Sequence, residues 1–346
     1  MRPSGPATTA GVIAIGNLQA QIAACRSGPG ASVADRATII DMLLLRGHLL
    51  GCIADTEEAA ALAEQLVREA PDCAQAYLAR TRTRGALHCF AAAFDDLDHA
   101  ERLGLDPHST RHERAALFEA VGRYDDAMDL RRDLASPSPT FHSIAGLASL
   151  YAAREEFDEA ERHFTESRRR YRGVSPFPIA VLDYQRGHMW LRAGELSRAR
   201  TWFLEALTRL PAYVPAQGHL AATEAASGDQ AAAVDRLRRA VSVSDDPEYA
   251  VQLARLLADL GQLDESRSWR DNAASRYTEL LARHPAAFAD HAAELWLWQN
   301  NDPVHALQMA TLNFEVRPTK RAGELLNRAR RAASHHRNSP QGWSPA

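Results

Sequence analysis

The sequence predicts an all-α solenoid of about eight helix-turn-helix repeats that ends in a capping helix. Prolines recur at intervals of 32 to 38 residues along most of the chain. Between successive prolines lie two amphipathic helical patterns separated by a short break, such as those beginning at Gly122 and Gly194. A unit of this length made of two helices is typical of stacked helical repeats. The recurring prolines are Pro71, Pro107, Pro139, Pro176, Pro211, Pro247, Pro285 and Pro318.

The composition excludes several classes of protein. With 346 residues, 46% of them hydrophobic and 24% charged, the chain can bury a large core and is not a disordered protein. The net charge of -4 gives no basic field for a polyanion, so we expect no nucleic-acid partner. The single lysine, Lys320, leaves no GxxxxGK phosphate loop. No stretch approaches the ~20 apolar residues of a transmembrane helix, so none is predicted.

Residues 1–37 are predicted to be a disordered N-terminus followed by a short helix and a linker. A helical pattern covers residues 11–25, and runs rich in Gly, Pro and Ser flank it. The cysteines form no CxxC pair, which favours a reducing compartment and a cytoplasmic location. Residues 22–25 are similar to a bacterial lipobox, so lipid anchoring through Cys25 is a minor alternative. Asn17 and Gln19 interrupt the apolar run that such a signal needs.

The repeat array is predicted over residues 38–318. Small residues dominate the eighth position of each repeat, from which Thr81 and Glu294 depart, and they fill the twentieth position throughout. Two helices can approach closely only where such a small side chain lies between them. The predicted repeats start at residues 40, 74, 108, 141, 180, 214, 247 and 287, and the residues at the twentieth position are Ala59, Ala93, Ala127, Ala160, Ala199, Ala233, Ser266 and Ala306.

This arrangement resembles the tetratricopeptide repeat family, whose 34-residue pattern has small residues at positions eight and twenty and proline near position thirty-two. The resemblance covers about residues 40–318. It implies a right-handed superhelix whose concave wall is formed by the first helix of every repeat. Residues 180–213 fit the pattern best, with Gly187, Trp190, Ala199, Phe203 and Pro211 at the expected positions.

The chain is predicted to end in a capping helix over residues 319–335 and a disordered tail over residues 336–346. Leu325, Leu326 and Ala329 share one side of this helix and would cover the stacking face that the last repeat exposes. We expect the receiving surface to consist of the apolar residues Phe288, Leu295 and Trp298.

Residue pairs that could carry chemistry have structural explanations. Paired acids such as Asp125 and Asp126 fall in the first turn of second helices, where carboxylates offset the helix dipole. His108 and His112 have the i,i+4 spacing of a metal pair, but the residues that follow miss the HExxH pattern. The arginine run at residues 168–172 is predicted to be a solvated helix face. We therefore predict no catalytic residue, no metal site and no cofactor.

The resemblance implies that partners bind on the concave wall. Tyr184, His188 and Arg192 follow at i, i+4 and i+8 on the first helix of one repeat. An arginine with an aromatic neighbour is typical of residues that anchor a protein partner, so these three are the first candidates. Further candidates at inward positions of other repeats are His48, Arg82 and Arg255.

The resemblance implies a non-catalytic scaffold or adaptor that binds an extended or helical peptide of another protein. The family's carboxylate clamp is not expected, because Leu44 and His48 stand where it needs Lys and Asn. Two alternatives stay open: an enzyme or substrate-holding accessory protein with a site in the His- and Arg-lined groove, and a lipoprotein that assembles an envelope complex. Abundant Ala and Arg beside one lysine favour a bacterial origin. The oligomeric state is not indicated.

Overall fold

A computed structural model describes residues 11–27, 32–136, 138–298 and 302–338, and these residues form eighteen α-helices and no β-strand. The predicted all-α solenoid is confirmed. Eight consecutive antiparallel helix pairs, repeats 1 to 8, lie between α1 (Gly11–Ser27) and α18 (Lys320–Asn338). The pairs are α2 (Val33–Leu50) and α3 (Ile53–Glu69), α4 (Ala74–Ala86) and α5 (Phe90–Arg102), α6 (Pro107–Ala120) and α7 (Tyr124–Ala135), α8 (Phe141–Ala153) and α9 (Phe157–Arg170), α10 (Phe177–Arg192) and α11 (Leu196–Arg209), α12 (Val214–Ala226) and α13 (Gln230–Val243), α14 (Pro247–Asp259) and α15 (Leu263–Arg283), and α16 (Pro285–Leu297) and α17 (Pro303–Val316).

The small residues at the twentieth position lie where the two helices of each repeat meet. All seven alanines at this position are completely buried, and Ser266 is buried as well. Its Oγ donates a hydrogen bond to the carbonyl oxygen of Ala254, so the hydroxyl is satisfied inside the core. On the facing helix of repeat 5, a Cβ atom at Gly187 would lie 2.7 Å from the ring of Phe203.

Repeat 8 departs from the alignment predicted from the sequence. Its first helix begins before residue 287, and Ala292 is buried where Glu294 was expected to break the pattern. The connection between α16 and α17 spans residues 298–302 and is longer than the connection in repeat 7. Aligning the repeats on this connection therefore misplaced the first helix. Glu294 is only half-buried and forms an ion pair with Arg328 of α18.

The two terminal helices cover the ends of the array. α1 buries Ile15, Leu18 and Ile22 against repeat 1 and against residues next to α12. α1 runs slightly past the predicted helix at residues 11–25. The predicted disordered residues 1–10 and most of the predicted linker lie outside the described residues.

The capping helix packs on a different surface from the one expected. Leu325, Leu326 and Ala329 are buried against Ala293 and Ala310 of α16 and α17. The prediction that Phe288, Leu295 and Trp298 receive this helix is wrong, because these residues pack in a separate cluster with α14 and α15. α18 ends at Asn338, later than the predicted boundary at residue 335. Residues 339–346 of the predicted tail lie outside the described residues.

The solenoid closes on itself along a line of contacts, which we call the seam. The connection inside repeat 1 meets the loop that follows repeat 6, where Ser244 Oγ donates to the carbonyl oxygen of Gly51 over 2.5 Å. Next to it, Asp245 accepts hydrogen bonds from the backbone N–H groups of Ile53 and Ala54. Both contacts join segments that lie far apart in the sequence.

Two further contacts extend the seam to repeats 2 and 3. His88 Nδ1, in the connection of repeat 2, lies 3.1 Å from the carbonyl oxygen of Ala286 at the junction after repeat 7. At the end of α6 in repeat 3, the carbonyl oxygen of Ala120 accepts from Arg317 Nε, which follows repeat 8, over 3.2 Å. Repeats 1, 2 and 3 thus meet the junctions that follow repeats 6, 7 and 8, respectively. The seam therefore brings the first helices of distant repeats to one inner surface.

Candidate partner-binding channel

The inner surface joins two candidate residues that the sequence places far apart. His48 of α2 shares a hydrogen bond of 2.9 Å, from its Nε2, with the hydroxyl of Tyr213 just before α12. The ring of Tyr184 on α10 packs against Tyr213 with 5.1 Å between centroids. His48 and Tyr184 therefore meet through a residue of a third repeat.

His219 on α12 completes this arrangement. Its ring lies 5.6 Å from that of Tyr184 and 5.2 Å from that of His188. His188 is thereby connected to the same group of rings. We call His48, Tyr184, His188, Tyr213 and His219 the inner cluster.

A glycine sets the distance between α12 and α14 beside the inner cluster. A Cβ atom at Gly218 would lie 2.7 Å from the ring of Tyr249 and 3.4 Å from Gln252 Oε1. Gly218 therefore lets the backbone of α12 approach α14 closely. This approach places Tyr249 and Gln252 next to His219.

Burial keeps the inner cluster uncharged at neutral pH. Burial lowers the pKa of His188 to about 3, with smaller effects of His219, Arg321 and Arg192. His48 is exposed at the inner surface of the solenoid, which we call the channel, yet the surrounding residues desolvate its ring and lower its pKa. Desolvation also lowers the pKa of His219. Burial raises the pKa of the Tyr184 hydroxyl. The cluster therefore offers aromatic surface and neutral hydrogen-bonding groups.

A cavity of about 430 Å³ lies beside the inner cluster, between α2, α10, α12, α14 and α16. His48, Tyr184 and His219 form part of its wall. Acidic side chains form another part, because Asp246 and Glu248 line it as well. A concave space of this size with a few polar groups is typical of a ligand-binding site.

The other candidate residues lie outside this cavity. Arg192 is exposed at the end of α10, where it donates to the carbonyl oxygen of Ala152 and contacts Glu155 at 3.4 Å. Arg82 and Arg255 instead tie neighbouring first helices together. Arg82 forms ion pairs with Asp41 and Glu113, and Arg255 donates to the carbonyl oxygen of Glu294 over 2.8 Å.

Four residues of this region were missed from the sequence: Tyr213, His219, Tyr249 and Gln252. Tyr213 precedes the repeat that starts at residue 214, and His219 is at the sixth position of that repeat. Tyr249 and Gln252 are at the third and sixth positions of the next repeat, whereas the resemblance implies that positions two, five, nine, twelve and thirteen face inward. The one signal that could have found them is Gly218, since a glycine inside a predicted helix indicates close packing.

The described residues give no sign of a metal centre or a membrane span. They contain no group of three or more His, Cys, Asp or Glu side chains that could hold a metal ion. None of the helices that the structure describes is both long enough and apolar enough to cross a membrane. The four cysteines form no disulfide.

The stacked pairs, with their buried small residues, define a helical-repeat solenoid. Solved structures that are similar to it are tetratricopeptide repeat proteins, so the predicted resemblance is confirmed at the level of the fold. A tetratricopeptide repeat protein from Parabacteroides merdae matches with a TM-score of 0.50 and 15% identity, over 70% of this chain and 92% of that one. No protein-family model matches the sequence, and no curated protein matches it either.

Two larger proteins share the fold. A chain of the APC/C hetero-tetramer Cut9-Hcn1 matches with a TM-score of 0.55 and 16% identity over 90% of this chain. The match spans 59% of the length of that chain. The human IFIT1 dimer with PPP-AAAA matches with a TM-score of 0.53 and 15% identity, over 93% of this chain and 77% of that one.

Proposed function

We propose that this protein is a non-catalytic scaffold whose inner channel binds an extended segment of a partner protein. The observation that carries the proposal is the inner cluster of neutral aromatic and histidine side chains beside the cavity of about 430 Å³. The fold supports it, because helical-repeat solenoids commonly bind other proteins along their inner surface. Within this proposal, Tyr184, His188 and His48 contact the partner.

The channel is too narrow at the inner cluster to admit a helix, so an extended segment of the partner is favoured. An α-helix with its side chains is about 10–12 Å across. At the inner cluster, the opposing walls touch each other through His48 and Tyr213. An extended chain can pass beside such a contact and insert single side chains into the cavity. Arg192 then contacts the partner at the rim, while Arg82 and Arg255 hold the walls together.

Capture of partners from the native host tests the proposal, with two matched variants. Ala86 and Ala226 are both exposed last residues of first helices, but only Ala86 lines the cavity. We expect Ala86→Trp to fill the cavity and to lose partners that wild type and Ala226→Trp retain. Quantitative mass spectrometry measures the loss, and circular dichroism establishes that both variants stay folded.

A second measurement makes the result decisive. The recovered partner, produced separately, should bind wild type and Ala226→Trp equally and bind Ala86→Trp at least about tenfold more weakly, because a filled pocket removes the anchoring contact. Equal binding to all three proteins would rule out the cavity as the binding site.

The same capture experiment also tests whether the protein binds a nucleic acid. The human IFIT1 structure was solved with PPP-AAAA, so the expectation that this chain binds no nucleic acid stays a prediction. RNA that is recovered with wild type and Ala226→Trp, and lost with Ala86→Trp, would contradict a protein partner. The cytoplasmic location, and the alternative of a lipid anchor at Cys25, also stay predictions.

A further inference from the structure

The cavity contains an unbalanced set of charges. The carboxylates of Asp246 and Glu248 line it, and no arginine or lysine is among the described residues that form its wall. Ionised carboxylates accept hydrogen bonds and cannot donate them. Burial and the neighbouring Glu248 raise the pKa of Asp246 to about 6, which leaves it ionised at neutral pH. Asp246 Oδ1 also accepts the backbone N–H of Glu248 over 2.9 Å as the N-cap of α14. The wall therefore presents two carboxylates that no arginine or lysine of the wall balances.

A charged histidine beside the cavity, His291, lies between Glu248 and a second carboxylate outside the cavity wall. His291 Nδ1 lies 3.6 Å from Glu248 Oε2, and His291 Nε2 lies 3.8 Å from Asp290. Asp290 raises the pKa of His291 to about 9, so this histidine is charged at neutral pH. One positive charge thus lies within 4 Å of two carboxylates, and it acts on Asp246 only at longer range.

An amide on the same wall lacks a donor. Gln252 Nε2 donates to Glu248 Oε1 over 2.9 Å, which fixes the orientation of the amide. Gln252 Oε1 is then buried without a hydrogen-bond partner. This oxygen lies against α12, 3.4 Å from the position that a Cβ atom would take at Gly218, so the amide serves the cavity by holding Glu248 rather than by accepting from a ligand.

Aromatic rings complete the wall of the cavity. The rings of Tyr184, His219, Tyr249 and Phe288 all line it. Aromatic faces attract ammonium and guanidinium groups, and they also cover the alkyl stem of such a side chain. Carboxylates and ring faces together form a surface that is complementary to an organic cation.

We infer that the cavity binds an alkyl ammonium or guanidinium group, carried by a lysine or arginine side chain of the partner segment. This inference rests on the proposed function and specifies the chemistry of the partner. The cation lies between the carboxylates of Asp246 and Glu248, against the ring of Tyr249.

Small probes test the cavity without a partner. We expect n-butylammonium and n-butylguanidinium to bind, measured by chemical-shift changes in NMR titrations, and butyrate and 1-butanol not to bind. Glu248→Gln keeps the size of the side chain and its acceptor for Gln252 but removes the charge. It should weaken binding of both cations at least about tenfold, because the charge-assisted hydrogen bond is lost.

The matched control is Glu324→Gln, which removes an exposed charge from α18 outside the cavity and should leave binding unchanged. Butyrate or 1-butanol binding as tightly as the cations would overturn the inference. Unchanged cation binding in Glu248→Gln would overturn it as well.

The partner-capture experiment separates this inference from the scaffold proposal. If Ala86→Trp loses the partner but Glu248→Gln keeps it, the scaffold stands and the cation inference fails. If both variants lose the partner, replacing each Lys and Arg of its bound segment by Gln should identify one side chain whose loss has the same effect. If a free amine co-purifies with wild type but not with Glu248→Gln, then the bound cation is a small molecule and not a side chain of the partner, and the inference fails on this point.

Discussion

Asp245 caps a helix whose first residue, Ile53, precedes it by 192 residues in the chain. The two carboxylate oxygens accept hydrogen bonds from the backbone N–H groups of Ile53 at 2.5 Å and Ala54 at 3.1 Å. The residue at the N-cap of α3, Cys52, makes no side-chain capping bond. The seam therefore supplies both the missing cap and a negative charge at the positive end of the helix dipole.

Replacing Asp245 with alanine tests this cap. We expect Asp245→Ala to lower the free energy of unfolding by about 1–2 kcal/mol, as other lost N-caps do, and Asp245→Asn to lower it less. Urea denaturation measures both. Asp235→Ala, at an exposed position on α13, is the control and should stay within about 0.5 kcal/mol of wild type. The cap has no energetic role if Asp245→Ala unfolds at the same urea concentration as Asp235→Ala.

A pair of glycine variants tests the close packing inside repeat 5. Gly187→Ala should destabilise the protein by about 1–3 kcal/mol, because its Cβ would lie 2.7 Å from the ring of Phe203. A Cβ atom at Gly16 on α1 would meet no other atom within 4 Å. Gly16→Ala should therefore stabilise the protein by about 0.5–1 kcal/mol, because alanine has the higher helix propensity. Thermal and urea unfolding of the two variants measure the difference. A stabilised Gly187→Ala would show that Phe203 moves aside freely.

The repeats could be predicted from the sequence because each one is specified locally. The buried alanines at the twentieth position, such as Ala199, recur with the period of the fold and need only the neighbouring helix to explain them. The exception is repeat 8, where a longer connection shifted the alignment and made Glu294 look like a core position. A periodic pattern cannot place an insertion at a connection.

The seam and most of the channel could not be predicted, because single contacts between distant repeats create them. Nothing in the sequence near Asp245 or His88 indicates a partner elsewhere in the chain. Tyr184 and His188 could be chosen from their spacing on one helix face. Their neighbour His219 depends on how far the solenoid curves, which the sum of all repeat interfaces determines.

The lowered pKa of the half-buried His188 leads us to expect that the protein loses stability in acid. The pKa of His188 is about 3 in the folded protein, because of burial and the nearby His219, Arg321 and Arg192, whereas an unfolded histidine titrates near 6.5. Between these values the unfolded chain binds one more proton. The contribution of His188 is therefore complete above pH 6.5 and is lost as the pH falls.

Comparison with His188→Gln isolates this effect. Between pH 6 and pH 4, the stability of wild type relative to His188→Gln should fall by about 1.4 kcal/mol per pH unit. Urea denaturation at a series of pH values measures this difference, and groups that titrate equally in both proteins cancel. If the free energies of unfolding of the two proteins change in parallel with pH, then His188 takes up its proton as readily in the folded protein as in the unfolded chain, and the prediction fails.

The closure of the seam at Gly51 gives a last prediction. Gly51 and Gly261 both follow the end of a first helix and have positive φ angles of 61° and 77°, so alanine strains the backbone by about 1 kcal/mol or more at either position. Only at Gly51 would the new Cβ also collide, 2.6 Å from Ser244 Oγ, and break the hydrogen bond from that hydroxyl to the Gly51 carbonyl. Gly51→Ala should therefore be about 1 kcal/mol less stable than Gly261→Ala. Urea denaturation measures this difference, and hydrogen exchange at Ile53 and Ala54 should accelerate only in Gly51→Ala. Equal stability and equal exchange in the two variants would mean that this end of the seam contributes nothing to the folded state.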